Sequence, residues 1–304
     1  MQSEKESWAR LSIVSNSVLV VLKIIVGILT GSVSIVAEGL HSGVDLAASV
    51  ITFFGVRISG RKADKDHHFG HGKFENVAGV AEGILIFVGA GIIIYEALPK
   101  LFKGEGPETL GWGLGVMALS SLVNFFVSQK LFKIAKKTGS PALAADAWHL
   151  RTDVYTSLGV FGGLALIKIT GKAIFDPIIA LCVAMIILKA AYDITMEGIA
   201  HMVDVSLPDD ELATIHGALA RQGEHYLEFH DLRARKSGSQ RFIDLHLVVP
   251  REHPIHRIHD LCNALETEIE KDLPHSHVLI HPEPCDAGCK TCAIAKRGGQ
   301  EGCA

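Results

Sequence analysis

Asp146-Ala147-Trp148-His149-Leu150-Arg151-Thr152-Asp153 opens an apolar segment that runs to about Thr170. His149 and Asp153 stand four apart, so on a helix they lie one turn above each other on a single face. Ionisable side chains inside a hydrophobic span are costly, and they face a bundle interior, an ion path or a proton relay. The same spacing recurs in a second apolar segment, at His41 and Asp45. Two helices that each offer His-x-x-x-Asp supply two imidazole nitrogens and two carboxylates, a full tetrahedral set for zinc. The blander reading is a polar network that glues two helices together. Four ionisable groups in two identically spaced pairs exceed what such glue requires. Arg151, two residues from each ligand, points off that face, toward lipid or snorkelling to the interface.

Outward from this stretch, apolar runs of about 20 residues, long enough to span a bilayer, fall at Leu11–Leu29, Val33–Val56, Val77–Leu98, Leu110–Phe132, Ala142–Ile169 and Ile174–Tyr192. The 304 residues are 48% hydrophobic yet 20% charged. That combination, with a mean hydropathy of +0.31, reflects segregation into an apolar first two-thirds and a polar last third. An even number of spans puts both termini on one side, and Lys and Arg choose the side. The loops after the second and fourth spans hold Arg57, Arg61, Lys62, Lys65, Lys73, Lys130, Lys133, Lys136 and Lys137, against Lys100, Lys103, Lys168 and Lys172 opposite. Both termini are therefore expected in the cytoplasm, with the chain a multi-pass protein of the cell (inner) membrane. The start, Met1-Gln-Ser-Glu-Lys-Glu, lacks the basic region and cleavage site of a signal peptide. In this topology the two His-x-x-x-Asp pairs enter from opposite faces. At a rise of ~1.5 Å per residue they reach a common depth of roughly 11–18 Å in a core about 30 Å thick.

Beyond Tyr192 the apolar character fades. Asp209–Gln222 reads as an amphipathic helix started by Leu207-Pro208-Asp209-Asp210. Two strands follow, Tyr226–Arg235 and Arg241–Pro250, joined at Ser237-Gly238-Ser239, then a helix over Ile255–Lys271 and a strand over His277–His281. The order αββαβ predicts a small α+β domain with helices on one sheet face. The expected fold is an α-helical membrane protein: a six-helix transmembrane domain over 1–205, a cytoplasmic metal-binding and dimerisation domain over 206–285, and a Cys-containing tail over 286–304.

Three further constellations bear on metal. The loop Asp64-Lys65-Asp66-His67-His68-Phe69-Gly70-His71-Gly72-Lys73 offers Asp64, His67 and His71 as a three-ligand set, with Asp66 and His68 as competitors. A His-rich tract alone is compositional and is also compatible with a solvated loop. In the polar domain His230, His246, His259, His281 and Glu283 come from the three strands and one helix and can converge at one sheet edge, although 16 histidines in the chain make surface histidine ordinary. Cys285, Cys289, Cys292 and Cys303 have thiolate-site spacing in part but not the paired CxxC pattern. A net charge of −4 gives no basic field for nucleic acid. The sequence holds no GxxxxGK[ST] loop, no HExxH and no Gly-x-Ser-x-Gly turn. It is therefore not expected to be an enzyme. A carrier without a nucleotide motor runs on an ion gradient, and neutral imidazole is needed for ligation, so exchange of a proton for the metal follows.

These residues resemble the cation diffusion facilitators, which export zinc and related divalent ions in exchange for protons. The resemblance runs from the first span to His281-Pro282-Glu283-Pro284. In that family the second and fifth helices build the transport site, which here matches His41, Asp45, His149 and Asp153, a two-His, two-Asp set similar to that of zinc members. Phe69-Gly70-His71-Gly72-Lys73 resembles the family's loop motif, and it implies roles for Asp64, His67 and His71. Lys73 matches a lysine that pairs with an aspartate just below the sixth helix, here Asp204, as an interlock. His230-Asp231-Leu232-Arg233, Asp244-Leu245-His246 and His281-Pro282-Glu283-Pro284 resemble landmarks of a metallochaperone-like, ferredoxin-like module that forms a homodimer. Family members with a two-metal cluster there often carry Asp where Glu283 stands, and the cysteine tail lies outside the common pattern. The resemblance implies a proton-coupled Zn²⁺ exporter, with Cd²⁺, Co²⁺, Fe²⁺ or Ni²⁺ as other cargoes. The rival readings are a membrane metal sensor that binds zinc without moving it and a metal-dependent membrane hydrolase.

Overall fold

The computed structural model describes residues 2–31, 33–103, 111–172 and 174–286. The chain forms two compact units, Met1–Met202 and Val203–Ala304. The first consists of α1 (Gln2–Thr30), α2 (Val33–Ser59), α3 (Lys73–Lys103), α4 (Gly111–Thr138), α5 (Pro141–Thr170) and α6 (Phe175–Met202). Among the described residues, α1, α2, α3, α4 and α6 each hold a stretch long and apolar enough to cross a membrane. The fifth helix is as long as the others at 30 residues, but Asp146, Arg151 and Asp153 crowd its first half. Those residues are buried inside the unit or partly so, whereas Val14, Val18, Val21, Ile25 and Ile28 of α1 form an exposed apolar stripe. This inversion, polar inward and apolar outward, is that of a membrane-spanning bundle.

The helices outrun the expected spans. α1 begins at Gln2 rather than Leu11 because its first turns find partners: Lys5 pairs with Glu75 inside the protein, Lys137 Nζ reaches Glu4 Oε2 at 2.8 Å, and Gln2 Nε2 donates to Val56 O at 2.6 Å. α6 likewise continues ten residues past Tyr192, to Met202. α5 is delimited as its sequence dictates. Ser140 caps its start by accepting from Leu143 N at 3.4 Å, Pro141 follows, and Gly171 ends it in the left-handed conformation (φ 72°), donating to Ile167 O at 2.7 Å. The polar half of α5 packs where α2, α3 and α4 can reach it. Ala142, Leu143, Ala147 and Leu150 share a core with Val56, Ala78 and Leu131. α3 and α6 approach closely: a Cβ added at Gly83 would fall 2.3 Å from Thr195 Oγ1. Small residues at such a crossing let helix backbones pack without intervening side chains.

The second unit runs α7 (Asp209–Arg221), β1 (Glu228–Ser237), β2 (Gln240–Val249), α8 (Ile255–Asp272) and β3 (Ser276–Pro284). This is the αββαβ order, with boundaries within a few residues of those expected. The sheet order is β1-β2-β3, with β1 and β2 antiparallel and β2 and β3 parallel. The tight turn between β1 and β2 uses Gly238 at φ 58°. A parallel partner for β2 requires a crossover, which α8 provides. Ile243, Leu245, Leu247 and Val249 point into a core shared with Ile215 and Leu219 of α7 and Leu265 and Ile269 of α8. Side chains alternate along a strand, so Phe242, Asp244, His246 and Val248 lie on the opposite sheet face.

Candidate metal centre

The two His-x-x-x-Asp pairs meet. Ligand atoms of His41 and Asp45 on α2 and of Asp153 on α5 all lie within 4.8 Å of one another. The fourth member, His149, is turned toward the same place: its Nε2 is 3.1 Å from Asp45 Oδ1. Asp45 and His149 are buried, Asp153 is partly buried, and His41 is exposed at the rim. The site thus has a dry floor and an open edge.

A supporting layer surrounds it. Asn124 of α4 donates to Asp153 Oδ2 at 3.0 Å. Thr52 of α2 donates to Glu82 Oε1 at 2.7 Å, and Glu82 Oε2 lies 3.7 Å from His149 Nδ1. One turn below the ligands, Ser49 donates to Asp146 Oδ1 at 3.1 Å and accepts from Asn16 of α1 at 2.8 Å. Asp45, Asp153, Glu82 and Asp146 therefore place carboxylates around one imidazole where little water screens them, a field that favours a cation. Sequence reading had missed Glu82, Asp146, Asn124 and Asn16. Glu82 could have been noticed as an acid within the apolar run Val77–Leu98. Asn124 and Asn16 carry no signal beyond polarity in a span. Arg151 is neither lipid-facing nor snorkelling. It is partly buried, with its guanidinium 4.7 Å from the centroid of Phe125 and 5.6 Å from that of Phe132, a cation–π seat on α4.

The loop before α3 makes a second group. Asp64, His67 and His71 bring ligand atoms within 4.8 Å of one another, and neither Asp66 nor His68 joins them. His67 Nδ1 and His71 Nε2 lie 3.5 and 3.4 Å from the two oxygens of Asp64. The backbone N–H groups of His67 (2.8 Å) and Asp66 (3.0 Å) donate to Asp64 Oδ1, which holds the carboxyl below the usual range and keeps it ionised. Gly70, at φ 77°, turns the chain so that His71 comes back over His67, their ring centroids 4.3 Å apart.

The sheet of the second unit carries a third. In register, His230 faces His246 and His246 faces His281, so three imidazoles cross the three strands in one row. Glu283, one row further on, reaches back: Oε1 lies 2.8 Å from His246 Nδ1 and Oε2 lies 3.4 Å from His230 Nε2. His230, His246 and Glu283 form the group within 4.8 Å, with His281 beside it, 3.9 Å from Glu283 Oε1. Positive φ at Asp231 (50°) marks the register shift that sets the end of this row. His259 stands outside that group among the described residues; on α8 it pairs with Asn263 at 3.1 Å. Cys285 is a buried free thiol whose backbone N–H extends the ladder to Val249 O at 3.0 Å. Cys289, Cys292 and Cys303 lie outside the described residues. Lys73 donates to Met202 O at 3.1 Å within the first unit, and Asp204 pairs with Arg235 at 3.2 Å within the second.

Residues 9–203 match the cation efflux transmembrane domain, and residues 207–285 match the cation efflux protein cytoplasmic domain. The transporter sll1263 of Synechocystis is 36% identical over 258 residues, covering 85% of this chain and 83% of its own. The cation-efflux pump FieF of Yersinia pestis (strain Pestoides F) is 34% identical over 271 residues, covering 88% and 89%. A solved chain of CzrB is 34% identical and covers 27% of this chain and all of its own, with a TM-score of 0.26.

Proposed function

Because the chain belongs to the cation efflux family, the cation diffusion facilitators, we propose that it exports Zn²⁺ from the cytoplasm in exchange for protons. The family is one of transporters and not of enzymes, and metal cation efflux is its activity. The observation that carries the zinc reading is the convergence of His41, Asp45 and Asp153 within 4.8 Å, with His149 bonded to Asp45, inside an apolar bundle. Imidazole with carboxylate suits zinc and its neighbours, whereas magnesium and calcium prefer all-oxygen shells.

Proton coupling follows from the same contact. The cation needs Nε2 of His149 and an oxygen of Asp45, which otherwise hold each other at 3.1 Å. Ligation requires the imidazole lone pair, so a proton shared between them leaves as the metal arrives. On the far side a returning proton restores the pair and releases the metal. The bundle opens alternately to the two faces, and the rim position of His41 suits a ligand that forms and breaks early.

In this proposal the chain sits in the inner membrane with both termini in the cytoplasm, supported by the Lys/Arg asymmetry of its loops. The Asp64–His67–His71 group and the His230–His246–His281–Glu283 row bind regulatory zinc. The second domain forms a homodimer, and His259, which stands outside that row, is a further metal ligand of the same reading. The Lys73–Asp204 interlock and the domain limits 1–205, 206–285 and 286–304 belong to the same reading. The test is Zn²⁺ flux into proteoliposomes with and without an imposed pH gradient, for wild type and Asp153→Ala. Flux that follows the gradient and vanishes in the variant supports it. Wild-type flux that ignores the gradient removes antiport, and flux that survives Asp153→Ala removes the site.

A further inference from the structure

We infer that Glu82 of α3 is a positioning residue: it fixes the imidazole of His149 so that Nε2 faces the transported cation. The inference rests on the reading of His41, Asp45, His149 and Asp153 as the transport site. Glu82 belongs to neither His-x-x-x-Asp pair nor to the loop motif, and it is fully buried. Its Oε1 is pinned by the Thr52 hydroxyl at 2.7 Å. Among the described residues its Oε2 has no hydrogen-bond partner, and neither has His149 Nδ1, 3.7 Å away. Two buried atoms without partners face each other, one able to accept and the other to donate. A shift of under about 1 Å brings them to the usual N–H···O separation of about 2.9 Å. The ring's other nitrogen is already committed to Asp45 at 3.1 Å.

Other groups around the ring do not fill this place. Asp153 Oδ2 accepts from Asn124; Asp146 Oδ1 accepts from Ser49, and although its Oδ2 is also without a hydrogen-bond partner, the ring's ion-pair contacts among the described residues are to Asp45 and Glu82. A metal-ligating histidine holds its tautomer and ring plane by donating its second N–H to a carboxylate, and that partner tunes metal affinity. Glu82 is the carboxylate that faces Nδ1. Its backbone is fixed by the neighbouring residue, because Gly83 seats α3 against Thr195 of α6 with no room for a Cβ. Thr52 comes from the helix that bears Asp45, so the helix of one ligand aims the carboxylate that aims the other.

The test compares full-length wild type, Glu82→Leu, Glu82→Gln and Thr52→Val in proteoliposomes, with zinc KM, kcat and Tm for each. Glu82→Leu is expected to raise the zinc KM about 10- to 100-fold, the range for loss of an outer partner of a metal-bound histidine. Glu82→Gln, whose amide carbonyl still accepts from Nδ1–H, recovers most of that loss. Thr52→Val, which removes only the pin, raises KM less than Glu82→Leu and serves as the readout if Glu82→Leu does not fold. In the zinc-loaded protein the ¹⁵N signals of His149 report Nδ1–H with the metal on Nε2 in wild type and a mixture of the two ring nitrogens as ligand in Glu82→Leu. The inference is overturned if wild type transports and neither Glu82→Leu nor Thr52→Val changes the zinc KM. Equal losses in Glu82→Gln and Glu82→Leu that track a fall in Tm also overturn it, since that pattern marks a structural charge. A wild type that moves no cation instead overturns the reading of the transport site, and this inference with it.

Discussion

His149 Nε2 lies 3.1 Å from Asp45 Oδ1, and this contact joins α5 to α2 across 104 positions of sequence. Both residues are buried, so neither can exchange its partner for water. Removing one member of a buried pair costs about 3–5 kcal/mol, because the other is left uncompensated. Asp45→Asn and His149→Ala should each cut zinc kcat/KM by roughly a hundredfold or more. The double variant should be little worse than either single one. A double-mutant cycle of transport measures this, and additive losses would mean that the two residues act at separate places.

The loop group distinguishes neighbours that composition treats alike. His71 is buried and faces Asp64 at 3.4 Å, whereas His68, three residues before it, is exposed and outside the group. His71→Ala is expected to remove one zinc per chain at equilibrium, and His68→Ala none. Metal content of the purified variants after dialysis decides it.

Glu283 spans His246 and His230 with its two oxygens. Glu283→Gln keeps the shape but removes the negative charge and leaves one accepting oxygen of the two. It is expected to shrink the zinc-dependent rise in Tm while leaving gradient-driven flux within about a few-fold of wild type, as the transport site lies elsewhere in the chain. Ligand binding to the native state stabilises by mass action, so Tm against zinc concentration is the readout.

Glu211 predicts acid sensitivity of the second unit. Burial alone would raise its carboxyl, but Arg241 at 2.7 Å and Lys236 at 2.9 Å take it down from 4.5 to about 2. The folded value is below the unfolded one, so the stability from these pairs is fully present above pH 4.5 and is lost as pH falls toward 2. Glu211→Gln should be less stable than wild type at pH 7, and the gap should close as the pH falls to about 2, where wild type loses the pairs that the variant lacks throughout. Denaturant midpoints across that range, read on the tryptophan-free second unit by circular dichroism, test it.

Local pattern carried much of this structure. Hydropathy marks a helical membrane unit because a bilayer demands about 20 apolar residues per crossing and satisfied backbone groups within each. The αββαβ order is legible because Leu207-Pro208-Asp209 starts a helix and Ser237-Gly238-Ser239 turns a hairpin through short-range chemistry. The two His-x-x-x-Asp pairs are legible for the same reason: a spacing of four is one helical turn, and histidine or aspartate stands out in an apolar run. Helix ends were less so. α1 reaches back to Gln2 only because Glu75 and Lys137, distant in sequence, meet its first turns.

By itself, then, the sequence determined the membrane unit, the α+β order and the two ligand pairs, all properties of residues close together along the chain. Tertiary packing alone decided what surrounds the ligands. Glu82 meets His149, Asn124 meets Asp153, and Arg151 settles over Phe125, each across a helix boundary. It also decided that His281 stands beside His246 while His259 falls outside the group, since strand register and not spacing sets that row. A single polar residue in a span has no period to betray it. Its role is fixed by the partner that packing brings within about 3 Å, where a buried polar group must find its hydrogen bond.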